Sequence, residues 1–151
     1  MSAAATATAT PRRPANSGRP ARPSVALLMG FEAFTLAVFA TLHLSGALRI
    51  GSSASGRASY GAGVAEALIC VALAGGAWAL VHSPAPAAAR AAARRRVARF
   101  ALGFAITGFI VGLTFTVDSG DPIDLGYHLV MLPVLVATTV LLARRPAPQH
   151  M

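Results

Sequence analysis

Glu32, His43, Glu66 and His128 each interrupt a long apolar run, and an ionisable group in such a setting is a functional candidate by default. A helix rises about 1.5 Å per residue, so Glu32 lies about 12 Å along a run that starts at Ser24. His43 follows eleven residues later. Eleven steps are three turns plus about 20°, which returns His43 to the face of Glu32 near the far end of that helix. Glu66 sits about 9 Å into a second run counted from Tyr60, and His128 about 5 Å into a fourth counted from Leu125. His43, Glu66 and His128 therefore share one band at one end of the elements that carry them, with Asp118 closing the third.

Two imidazoles and a carboxylate make a ligand set for a divalent metal. The two histidines, on neighbouring helices, match the axial ligands of a b-type haem. A third chemistry is a proton relay between histidine and Glu66. The bland alternative is a His43–Glu66 hydrogen bond, with His128 in headgroup water. Glu32 is the deepest charge and is too short to reach the surface. It is expected to couple proton or cation movement, or to act as a neutral hydrogen-bonding group tied to a polar partner such as Thr107.

These residues are positioned by four apolar segments, 24–48, 60–81, 97–117 and 125–143, each close to the length of about 20 residues that spans a bilayer. The fold class that follows is all-α, an integral-membrane up-and-down four-helix bundle occupying 24–145. Residues 1–23, rich in Ala, Thr, Pro and Arg, read as a disordered cytoplasmic tail, and 146–151 as a second tail. The first run exceeds the 7–15 residues of a signal-peptide core, so it is read as a retained span. Trp78, His82, Tyr60 and Tyr127 fall where amphipathic rings favour a membrane boundary. Ala101, Ala105, Gly108 and Gly112 form a small-residue stripe that admits a close helix, from this chain, a second copy or a larger membrane complex. Pro133 is expected to kink the fourth helix beside His128. The lone Cys70 rules out an intramolecular disulfide and reads as apolar filler.

Composition agrees with a lipid solvent. Of 151 residues, 55% are hydrophobic and only 12% charged, about half the charged share of a soluble domain. All thirteen basic residues are Arg, giving a net charge of +8. They sit in tails and loops between apolar runs, so phospholipid headgroups and not nucleic acid are the expected partner. Arg12, Arg13, Arg19, Arg22, Arg144 and Arg145 lie in the tails, and Arg90, Arg94, Arg95, Arg96 and Arg99 in the middle connection. Those eleven fall on one side, against Arg49 and Arg57 on the other. The positive-inside rule then puts both termini in the cytoplasm, in a plasma-membrane protein. The segment 87–99 should be helical, lie along the inner headgroups and bind anionic lipid.

No nucleophile–base pair, phosphate-binding loop or haem-attachment cysteine pair is visible, so an enzyme is not expected. The first functional expectation is a non-catalytic accessory or binding protein of a membrane complex. A proton- or metal-coupled small transporter using Glu32 is the second, and a haem- or metal-binding redox protein the third.

Overall fold

The computed structural model describes residues 23–48, 56–82, 88–119 and 121–144, without the side chains of 56–58, 88–90 and 119. The helices are α1 (Pro23–Leu44), α2 (Gly56–Val81), α3 (Ala88–Ser119) and α4 (Pro122–Ala143). Each of the four is long and apolar enough to cross a membrane. The tail expected over 1–23 lies outside the described residues except for Pro23, which opens α1, and 146–151 lies outside them entirely.

Several helix ends differ from the sequence expectation: α2 opens at Gly56 and not at residue 60, and two other differences have local reasons. The first span was expected to reach residue 48, but α1 stops at Leu44. Gly46 takes a φ of 75°, a left-handed turn that glycine adopts without steric cost. The chain then folds back, and the amides of Gly46 and Leu48 donate to the carbonyls of His43 and Leu42, each at 3.1 Å. The fourth helix begins at Pro122 and not Leu125. Asp121 caps it, its Oδ1 accepting from the amides of Ile123 at 2.8 Å and Asp124 at 3.1 Å. Proline at the first position costs no hydrogen bond there. The Arg-bearing segment expected to be helical and to merge into the third span is the opening of α3, continuous with its span over 32 residues. Pro133 lies inside α4, which continues past it to Ala143.

Each helix packs on its sequence neighbour, and α4 also touches α1, closing a ring. The helices run up and down. The carboxyl end of α1 meets the first half of α2 through His43 and Glu66, and the end of α3 meets the start of α4 through Thr116 and Asp124.

What faces inward is small or polar as often as it is apolar. On α1 the buried line is Met29, Glu32, Leu36, Ala40 and His43; on α4 it is Asp124, His128, Met131, Leu135 and Thr138. Both step by three or four residues, the spacing of one helix face. The outward faces carry Leu27, Phe34, Val71 and Phe100, all more than 60% exposed. Aqueous proteins show the reverse pattern, with the polar face outward. Small residues set the closeness of the helices. A Cβ on Gly63 would lie 2.7 Å from Leu44 Cγ and 3.1 Å from the Ala40 carbonyl, so α1 and α2 touch nearly backbone to backbone just where His43 reaches α2. The stripe expected on α3 is filled from within the chain. Gly108 receives Ile69 of α2, and Gly112 receives His128 of α4.

Candidate metal centre

The Asp121 cap fixes the first turn of α4, and that turn carries Asp124 into the bundle. Thr116, on the buried face of α3, donates to Asp124 Oδ2 at 2.7 Å. His128, one turn further along α4, has its Nδ1 2.9 Å from the Asp124 carbonyl and 3.4 Å from Asp124 Oδ1. The carboxylate is thus held from two sides on a stiff element.

His43 closes the group from α1, with Nδ1 2.8 Å from Glu66 Oε2. A carboxylate can only accept, so Nδ1 carries the hydrogen, and the neutral ring keeps its lone pair on Nε2. One potential ligand atom from each of His43, Glu66 and Asp124 lies within 4.8 Å of the other two, and all three residues are buried. Two atoms of this group have no hydrogen-bond partner among the described residues, His43 Nε2 and Asp124 Oδ1. Leaving a buried polar atom without a hydrogen bond costs about 1–3 kcal/mol, so both atoms favour an electrophilic partner.

The expected trio was His43, Glu66 and His128. The first two meet, as the shared depth implied. His128 is not part of the three-residue group; it braces Asp124, and at 8% exposure it is buried and not in headgroup water. Asp124 takes its place. The signal for it was present in Asp121-Pro122-Ile123-Asp124, a capping residue, a first-position proline and an acid in the first turn. Thr116 gave no signal, since a threonine in an apolar helix is unremarkable before its face is known.

Glu32 is fully buried, and its partner is Thr138 of α4, whose Oγ1 lies 2.6 Å from Oε1. Thr107, the partner expected from sequence, is exposed and donates to the carbonyl of Gly103. Thr138 Oγ1 is also 3.0 Å from the Val134 carbonyl. One hydroxyl has one hydrogen, so both contacts are satisfied together when Glu32 itself carries a proton and donates to Thr138. Glu32 Oε2 has no partner among the described residues.

Aromatic rings separate the two polar sites. Tyr127 stacks on Phe39 with ring centroids 3.7 Å apart, and its hydroxyl donates to Thr35 at 3.3 Å. It is half-buried, whereas Tyr60 is exposed. At the opposite end of the bundle Trp78 stacks on His82 at 3.5 Å. Near that end Arg95, Arg96 and Arg99 are exposed on α3 and Arg94 is half-buried, while the side chain of Arg90 lies outside the described residues.

Comparison with known protein families, curated proteins and solved structures returned no match.

Proposed function

We propose that this chain is a multi-pass membrane protein that binds a divalent transition metal through His43, Glu66 and Asp124 at the outer end of its bundle. The observation that carries the metal reading is the convergence of three buried ligand-type side chains from three helices within 4.8 Å. Imidazole nitrogen and carboxylate oxygen suit zinc and its neighbours, and two carboxylates balance a dication. The ion pairs found at these carboxylates are both with histidine, so a cation would relieve the charge that burial penalises. A metal also answers His43 Nε2, which has no hydrogen-bond partner among the described residues, and Asp124 Oδ1, whose neighbour is His128 Nδ1 at 3.4 Å; both are electron-pair donors.

Orientation rests on the Arg distribution, eleven on the side of both termini and two on the other. On that distribution we read both termini as cytoplasmic and the metal group as near the outer surface, in a plasma-membrane protein. Binding, not turnover, is the role we assign, as an accessory component of a membrane assembly.

The test is zinc uptake by equilibrium dialysis of purified, chelator-stripped protein. We expect about one zinc per chain for the wild type and a loss of at least about tenfold in affinity for Asp124→Asn, since changing even a group that only hydrogen-bonds a metal ligand costs about 10–100-fold. Equal uptake by wild type, His43→Ala and Asp124→Asn would remove the proposal.

A further inference from the structure

Beside the polar group, a cleft of about 670 Å³ opens between α2 and α3. That is the size of site that takes a drug-sized molecule. Its walls are apolar and include Ala65, Phe104, Val111 and Phe115, while His43, Asp124 and His128 stand at its polar end. Ala65, Phe104, Val111 and Phe115 are all exposed on the outside of the bundle, so the cleft opens sideways, toward the bilayer in a membrane-inserted protein.

The polar end specifies what can enter. His128 has its Nδ1 hydrogen committed to the Asp124 carbonyl, so its Nε2 lone pair is left at Gly112, itself part of the cleft lining. That nitrogen is an acceptor when the ring is neutral, so the matching head is a hydrogen-bond donor. The surroundings are aromatic. Phe109 lines the cleft with its ring centroid 5.0 Å from that of His128, and Phe104 and Phe115 complete the wall. A flat ring gains offset or edge contacts there that an acyl chain or aliphatic alcohol does not.

We propose that this cleft binds a bilayer-soluble phenol or hydroquinone, with the ring among Phe104, Phe109 and Phe115, a hydroxyl donating to His128 Nε2, and the apolar tail leaving between α2 and α3. The proposal goes beyond the metal reading and does not depend on it, because His128 is not one of the three metal-binding residues.

The test uses the full chain in lipid nanodiscs, stripped with chelator, and two probes that differ by one hydrogen-bond donor, 4-nonylphenol and its methyl ether 4-nonylanisole. Retention of each is measured against empty discs. The wild type should hold the phenol about tenfold more tightly than the ether, the worth of one hydrogen bond to a buried acceptor. His128→Ala should erase that preference. Ala65→Phe, which adds a ring to an exposed wall position and leaves the core alone, should lower retention of both probes while zinc uptake stays at the wild-type level. Equal retention of phenol and ether would overturn the proposal in favour of a cleft filled by lipid chains. Retention no greater than in empty discs would overturn it outright. Neither result bears on zinc uptake, so a failure of the metal reading is seen separately.

Discussion

His43 Nδ1 and Glu66 Oε2, 23 residues apart in sequence, lie 2.8 Å from each other and lock the last turn of α1 to α2. Gly63, one turn before Glu66, makes that distance reachable by removing the Cβ that would strike Leu44. Two residues joined in this way should not act independently. We expect His43→Ala and Glu66→Ala each to cost about 1–3 kcal/mol, since each leaves a buried partner unpaired. The double variant should cost clearly less than the sum, because the second change removes a group already stranded. Thermal unfolding in mild detergent reads this, and strictly additive losses would mean that the bond contributes nothing.

Asp121 is not one of the three ligand residues, yet it sets the turn that delivers Asp124. Asp121→Ala should cost about 1 kcal/mol through loss of the cap. It should also weaken zinc uptake, whereas Asp121→Asn, which keeps an accepting oxygen, should retain most of both. Calorimetry and dialysis on the same samples check the pairing of the two effects. Unchanged uptake in Asp121→Ala would show that the turn is held by other contacts.

The helices were legible in the sequence because lipid-length apolar runs need no tertiary information to be recognised. The meeting of His43 with Glu66 was legible as well, from depth alone. What sequence could not supply was which face each polar residue presents. These helices have large apolar groups outward and mixed small, polar and apolar groups inward, so apolar periodicity carries little direction. Thr107 and Thr138 are equally plausible partners for Glu32 until the faces are known, and only Thr138 turns in. Asp124 was missed for a different reason. Three Asp around a Gly and a Pro read as one polar turn, whereas the cap at Asp121 divides that stretch and assigns its last member to a helix.

Glu32 tests whether the buried carboxyl is a fastening or a moving part. A fastening predicts that Glu32→Gln, which can donate to Thr138 through its amide, stays within about 1 kcal/mol of wild type, the usual worth of a hydrogen bond between membrane helices. Glu32→Ala should lose about 2–4 kcal/mol through the cavity and the stranded Thr138. A proton-coupling role predicts instead that Glu32→Gln folds normally and abolishes proton movement in vesicles. Unfolding curves and a pH-sensitive dye in reconstituted vesicles separate the two outcomes.

Topology follows from charge and is open to direct labelling. In a Cys70→Ala background, Ser53→Cys and Ser119→Cys should react with an impermeant maleimide on intact cells. Ser83→Cys should react only after the membrane is opened. Labelling of Ser83→Cys on intact cells would invert the map and place the metal group on the inner side.

The Arg-bearing turns of α3 offer the last test, and geometry decides which residues matter. Successive residues turn by about 100°, so Arg95, Arg99 and Arg96 fall within about 100° of one another on one side of the helix. All three are exposed, whereas Arg94, on the neighbouring face, is half-buried and its Nε is enclosed. The helix runs unbroken from these turns into its span, over a length of about 48 Å. A bilayer core is about 30 Å thick, so the Arg turns emerge at the level of the headgroups. Each Arg beside an anionic leaflet contributes about 1 kcal/mol, and salt screens that attraction. The full chain in nanodiscs with anionic lipid should therefore unfold at a higher temperature than in neutral discs, and the difference should shrink toward zero in 1 M salt. Changing Arg95, Arg96 and Arg99 together to Gln should remove most of the difference, while Arg94→Gln alone should remove little of it. An anionic-lipid effect that survives the triple change would move the contact to Arg90, Arg94 and the tails, which hold the other Arg of that side.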